Sequence, residues 1–271
     1  MAGCDPSSIS IRSLGSLLGF PRRFPAHMAD HSIETFQIRV SIVEGLAERI
    51  RRFLRVPSSC KPGVGMAIEP DENETGETLT KMLVVGLGNP GSVYAKNRHN
   101  IGFMLVNEFA AKHEIGLGRK KHNAIFGSGR VGDRAIILAK PQTFMNRSGN
   151  SVRKFVDYYD IDVSDILVVY DEIDLPLGTL RIRDKGGSGG HNGMKSVIDK
   201  IGRDFPRLRI GVDRPPGRMD PADYVLRDFK DDEWPVVDEM ITSAVGAIEM
   251  TISDGLDLAM TQFNGPSNRI P

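Results

Sequence analysis

Cysteine is nearly absent from this chain: two in 271 residues, Cys4 and Cys60, both upstream of the segment that carries the chemistry described below. That excludes a disulfide framework or a cysteine-built metal site in that segment and fits a reducing compartment. Long apolar runs are also missing. Nothing approaches the roughly 18 residues that span a bilayer, so no membrane helix is expected. No serine or cysteine stands out as a nucleophile, and the histidines at 99, 113, 122 and 191 lack metal-ligand spacing such as H-E-x-x-H. An activated serine or cysteine and a resident metal are therefore not expected. Nor is there excess charge: 35 Lys and Arg balance 35 Asp and Glu.

The neutral total hides a segregation. Residues 181–218 hold ten Lys and Arg against four Asp and Glu, and residues 219–271 hold three against eleven. Such blocks give one face a positive field on a neutral molecule, or they are two ordinary solvated surfaces of opposite sign. With 40% hydrophobic and 26% charged residues, the composition is that of a soluble globular protein with enough chain for a core.

The chain divides at about residue 82. Residues 1–81 form an N-terminal extension, expected to be partly helical or disordered, and residues 82–271 form the catalytic domain. The first 30 residues are rich in Ser, Arg and Pro with only Asp5 and Asp30 acidic, a weak likeness to an organelle transit segment. Met28, Met66 and Met82 are alternative starts. Ile33 to Val56 has the apolar spacing of an amphipathic helix with a basic end, RIRRFLR, and residues 57–80 have the composition of a linker.

From Met82 the pattern is regular. Strands are expected at MLVVGLG, Ala124–Val131, Ala135–Ala139, DILVVYDEID, GTLRIRD and RLRIGVD. Helices are expected over Asn100–His113, Ser148–Tyr159, Gly190–Ile201 and about Asp232–Ser253. Alternating strands and helices, with some adjacent strand pairs, predict an α/β fold: a single globular domain with a mixed twisted sheet flanked by helices.

The stretch GLGNPGSVYAKNRHNIGF, residues 86–103, has the glycine spacing of a dinucleotide loop. A dinucleotide site needs a helix opening directly at the glycines. Here about eight residues intervene, and Pro90 removes an N–H from the loop that should donate to phosphate. The loop instead carries Asn89 and His99 to the carboxyl end of a strand, where ligand sites of open α/β sheets gather. His99 alone is as readily a cap or a surface residue. Asp171, which ends the apolar strand ILVVYD, can fix its tautomer, and Glu172 or Asp174 are alternative partners. Asn146 in KPQTFMNRSG and Asn192 in GGSGGHNGMKS stand where helices start, so capping is their default role. Phe144 and Met145 are core residues by default. One His, one Asp and several amides suit hydrolysis with water as nucleophile: base, orienter and donors for an oxyanion.

VVGLGNPGSVYAKNRHNIGF, KPQTFMNRSG, YDEIDLPLG and GGSGGHNGMKS together resemble the signature segments of bacterial-type peptidyl-tRNA hydrolases, in the same order and with close spacing. The resemblance covers Met82 to the C-terminus and not residues 1–81. It implies cleavage of the ester between a peptide, or an N-blocked amino acid, and the 3′ end of tRNA, which recycles tRNA. It implies His99 as the base, Asp171 as its orienter and Asn89 at the peptide. Asn146 and Asn192 would hold substrate or water. Tyr94, Phe144 and Met145 would meet the tRNA 3′ end and its peptide, and Arg183 and Arg209 would clamp a tRNA phosphate. No cofactor, no metal, no membrane and no obligate protein partner are implied; the partner is the tRNA, met through its 3′ end and phosphates. A cytoplasmic monomer is the family's form, with an organelle as the alternative if residues 1–81 target the chain. Ser188 stands where many relatives carry another His. A non-catalytic RNA-binding paralogue, of the organelle splicing type, is the rival reading; the presence of all five polar site residues gives it no support.

Overall fold

The computed structural model describes residues 80–264. The extension and the expected Ile33–Val56 helix lie outside the described residues. Seven strands make one mixed sheet in the order β2-β3-β4-β1-β5-β7-β6. They are β1 (Lys81–Gly86), β2 (Arg119–Lys121), β3 (Ala124–Val131), β4 (Arg134–Pro141), β5 (Ile166–Glu172), β6 (Leu180–Arg183) and β7 (Arg207–Gly211). The four central strands are parallel, while β2, β3 and β6 add antiparallel edges. Every residue of β5 is buried, as its unbroken apolar run requires for a strand covered on both faces.

Helices α1 (Ile101–Lys112), α2 (Ser148–Tyr159), α3 (Asn192–Ile201), α4 (Pro221–Val225), α5 (Trp234–Ser253) and α6 (Leu256–Phe263) complete the fold. Alternate residues of each strand point to opposite sides and build two cores. Val84, Val169 and Leu208 pack under α1, α5 and α6. Leu83, Val168 and Tyr170 pack under α2 and α3. The result is a three-layer α/β domain, as the pattern predicts. No helix among the described residues is long and apolar enough to cross a membrane.

The glycines of the opening motif do a packing job. A Cβ on Gly86 would lie 2.2 Å from the Gly102 carbonyl oxygen, and one on Gly102 would lie 2.6 Å from the carbonyl oxygens of Leu87 and Val169. Two side-chain-free residues therefore let the start of α1 rest on the end of β1. That contact brings the residues just before α1, His99 among them, over the carboxyl ends of β1 and β5.

Candidate active site

The strand order switches at β1: β4 lies on one side of it and β5 on the other, all three parallel. A cleft of about 570 Å³ opens at the carboxyl ends of these strands. Asn89 comes from the loop after β1, Phe144–Asn146 from the turn after β4, and Asp171 from the end of β5. His99 comes from the 3₁₀ turn that leads into α1, and His191 and Asn192 from the start of α3. The segment around α4 closes the far wall with Pro221, Ala222, Val225 and Leu226.

Asp171 is the centre. Only 3% of it is exposed. His99 Nδ1 lies 2.9 Å from both of its carboxylate oxygens, and His191 Nε2 lies 3.0 Å from Oδ1. Burial pushes the Asp171 carboxyl up, but the charges and hydrogen bonds of the two imidazoles outweigh it and hold the group well below the usual carboxylate range. An ionised Asp171 accepts from both rings. His191 Nδ1 accepts from the Met194 N–H at 3.1 Å, so the His191 proton sits on Nε2 and points at Asp171. His99 donates through Nδ1, which leaves its Nε2 lone pair for the cleft. Burial pulls the His99 pKa down, and the adjacent Asp171 charge and hydrogen bond together push it above its ordinary value.

Of the three carboxylates that the sequence leaves open, geometry selects Asp171. Glu172 turns to Arg209, whose Nε and Nη2 donate to one of its oxygens at 3.0 and 2.7 Å. Asp174 pairs with Arg214 at 2.6 Å on the surface.

Asn89 is 8% exposed and fully enlisted on one side. Its Oδ1 accepts from the Met145 N–H at 2.9 Å. Its backbone N–H and C=O are clamped by the Asn100 amide at 2.8 and 2.9 Å. With Oδ1 taken by a donor, the Asn89 amide NH₂ is the end turned to a ligand in the cleft.

Several default roles are corrected. Phe144 is not core: it is 62% exposed at the cleft rim, because the chain after β4 turns outward before α2 begins, while Met145 beside it is 5% exposed. Asn146 caps nothing; it sits inside a 3₁₀ turn whose caps are Phe144 and Ser148. Asn192 is the first residue of α3, and the cap is His191. Both amides are left exposed on the cleft wall. Three of the expected substrate contacts do not line the cleft. Tyr94 is half-buried on the loop before His99. Arg183 is exposed at the end of edge strand β6, and Arg209, on β7, is drawn onto Glu172.

His191 is the residue that sequence reasoning leaves without a role. From the sequence the cap of this helix falls to Asn192, and in the structure it falls to His191; its second bond depends on β5 and α3 lying side by side, which no local pattern reports. His99, Asp171 and His191 also form a cluster of ligand atoms within 4.8 Å of one another. A cation there fits poorly. It would have to displace both protons that face Asp171, and His191 Nδ1 is already engaged at the helix start.

A family model described as "Peptidyl-tRNA hydrolase" matches residues 83–270. The chain is 48% identical over 184 residues to the chloroplastic peptidyl-tRNA hydrolase of Arabidopsis thaliana, covering 67% of this chain and 64% of that one. To the mitochondrial peptidyl-tRNA hydrolase of Oryza sativa it is 47% identical, covering 70% and 76%. The Syntrophomonas wolfei peptidyl-tRNA hydrolase matches at 45% identity, over 67% of this chain and 99% of its own length. Among solved structures, peptidyl-tRNA hydrolase from Acinetobacter baumannii superimposes with a TM-score of 0.66 at 38% identity, covering 70% and 98%.

Proposed function

This chain belongs to the peptidyl-tRNA hydrolase family and has that family's activity, and on that premise we propose that the cleft at His99 hydrolyses the ester between a peptide or N-blocked amino acid and the tRNA 3′ end. The observation that carries the assignment is the His99–Asp171 pair at 2.9 Å, at the end of a cleft whose walls present three side-chain amides.

His99 Nε2 takes a proton from a water as the water oxygen attacks the ester carbonyl carbon. Asp171 stabilises the imidazolium and does not take its proton. The carbonyl oxygen becomes an oxyanion, and amide NH₂ groups of Asn89, Asn146 or Asn192 donate to it. When the C–O bond to the ribose breaks, His99 returns the proton to the departing 3′ oxygen. The products are a free carboxylate and a tRNA with an intact 3′ hydroxyl. A positioned base contributes about 10²–10⁴-fold. One preorganised oxyanion donor contributes about 3 kcal/mol.

Exposed Phe144 at the rim is suited to stacking on a base of the tRNA 3′ end, and the apolar α4 wall to the peptide. Tyr94 and the phosphate contacts lie further out, and Arg183 is the exposed cation of the β6–β7 edge. We place the catalytic domain at residues 82–271, acting as a monomer in the cytoplasm. An organelle is the second reading, favoured by the chloroplastic and mitochondrial names of the two plant relatives. A fusion of residues 1–81 to a fluorescent protein tests it: import into an organelle supports the second reading, and diffuse cytosolic signal removes it.

The decisive assay is release of N-acetylaminoacyl groups from tRNA, with free aminoacyl-tRNA as control. Cleavage of the blocked substrate alone is expected. Binding of tRNA without cleavage would move the chain to the RNA-binding class.

A further inference from the structure

Arg98 takes no part in this chemistry, yet it is 2% exposed. The partners of its side chain all lie on α4 or on the chain between α4 and α5. Nη2 donates to both carboxylate oxygens of Glu233, at 2.8 and 2.6 Å, and Nη1 donates to the Asp228 carbonyl at 2.5 Å. The guanidinium also lies 4.5 Å from the ring centre of Tyr224 and 5.0 Å from that of Phe229. Glu233 in turn accepts from the Lys230 N–H at 2.6 Å.

The backbones follow the same course. Arg98 N–H donates to the Arg227 carbonyl at 3.1 Å, Phe229 N–H donates to the Lys96 carbonyl at 3.3 Å, and Asn97 and Asp228 form an antiparallel bridge. The Asn97 amide donates to the Leu226 carbonyl. Residues 96–98 and 226–229 are therefore one short ladder, with the Arg98–Glu233 ion pair at its end. On one strand of that ladder the next residue is His99. On the other strand, Leu226 and the preceding α4 form a wall of the cleft.

Two anchors thus hold the main chain on either side of His99. Asn100 is tied to Asn89, and Arg98 is tied to the α4–α5 connection. The 3₁₀ turn Arg98–Asn100 has no side-chain cap at its start, so its position depends on these anchors. Asp171 fixes the rotation of the ring but not the place of the backbone that bears it. A planar guanidinium can bridge a carboxylate and a carbonyl at once, which a lysine ammonium cannot do with the same geometry.

We propose that Arg98 and Glu233 are positioning residues that lock His99 to the α4 wall of the cleft, so that the base and the wall facing the peptide keep one spacing. The inference rests on the reading of this cleft as the peptidyl-tRNA site. Displacing a catalytic group by about 1 Å can cost on the order of a hundredfold in rate.

The test is steady-state kinetics of the full chain with N-acetylaminoacyl-tRNA, for wild type, Arg98→Lys, Glu233→Gln and the double variant, below their measured melting temperatures. Each single variant is expected to lose about tenfold or more in kcat, with KM changed less than about threefold, and the double variant to lose little more than either single, because the two residues act as a unit. A kcat within about twofold of wild type in folded variants, or losses that multiply in the double variant, overturns the proposal and leaves Arg98 as a brace of the fold. Should Glu233→Gln not fold, Tyr224→Leu removes a ring from the guanidinium and keeps the ion pair. It is expected to lower kcat several-fold, and an unchanged kcat overturns the proposal. An inactive wild type would sink the hydrolase reading instead.

Discussion

His191 donates to Asp171 through Nε2 at 3.0 Å while its Nδ1 caps α3. One imidazole thus joins a helix start to the carboxylate that orients the base. The two roles separate by mutation. His191→Ala removes both, and about 1 kcal/mol of stability is expected to go with the cap. His191→Asn restores a cap but puts no donor on Asp171. Both variants are expected to lower kcat by a similar factor, with only the Ala variant losing stability. Without the second donor, Asp171 bears more fully on His99, so the acid limb of kcat/KM is expected to move to higher pH. Thermal melts and a pH profile check this; an Asn variant with wild-type kcat and pH profile would reduce His191 to a cap.

The base acts only when neutral. Burial lowers the His99 pKa, and Asp171 more than reverses this, so kcat/KM is expected to rise through an inflection above the ordinary histidine value of about 6.5. Asp171→Asn removes the raising influence and leaves the burial. Its inflection is expected below that of wild type, with a plateau lower by orders of magnitude. The same shift acts on stability. The folded chain holds the His99 proton more tightly than the unfolded chain. The contribution is therefore complete below about pH 6.5 and is lost as pH rises through the higher folded value. The deficit of His99→Ala in melting temperature should then be largest at mildly acid pH and shrink above neutrality. A deficit that grows with pH would contradict the assigned proton.

Asn89 offers a substitution that changes one hydrogen bond and spares the others. In Asn89→Asp an oxygen still accepts from the Met145 N–H, and the Asn100 clamp on the backbone survives. What disappears is the NH₂ donor facing the cleft, replaced by a negative charge. The variant is expected to fold, to melt within a few degrees of wild type, and to lose about 10²–10³-fold in kcat/KM for the blocked substrate. Asn100→Ala is expected to behave differently, because it frees the loop as well: a lower melting temperature together with the loss of rate.

The two kinds of signal in the chain were not equally legible. Long elements with a clear period were readable: Ser148–Tyr159 is the helix that its spacing predicts, and β5 is the buried strand that its apolar run predicts. Short elements were not. Strand β2 is three polar residues, Arg119–Lys121, and α4 is five, so neither repeats a period long enough to register. In the site, His99, Asp171 and Asn89 could be found as polar residues delivered to strand ends. The bond of His191 to Asp171 and the burial of Arg98 depend on neighbours 20 or more residues away, and the exposure of Phe144 on a turn's direction, which residue types do not encode. The glycine motif carried its lesson in geometry: Gly86 and Gly102 are there for helix–strand contact, and a cofactor has no part in explaining them.

Arg183 and Arg209 look equivalent in sequence, both basic and both in the positive block, and the structure separates them. Arg209 is held by Glu172, which is 3% exposed. Arg183 is exposed and has no ion-pair partner among the described residues. A free cation that meets a tRNA phosphate releases a counterion, and each such contact adds about 0.7–0.9 to the slope of log affinity against log salt. Arg183→Gln is therefore expected to flatten the salt dependence of KM by about one contact, with the melting temperature unchanged. Arg209→Gln leaves a buried carboxylate without its partner, a change that typically costs about 3–5 kcal/mol when both charges are buried and less here, where the Arg209 side chain is 24% exposed. Its main effect is expected in the melt, and a small change in the salt slope would follow only from the altered edge of the sheet. Measuring KM from about 50 to 200 mM salt for both variants decides between the two roles. If Arg209→Gln flattens the slope as much as Arg183→Gln and melts like wild type, then Arg209 leaves Glu172 for a phosphate when tRNA binds, and the ion pair is a resting state of the free enzyme.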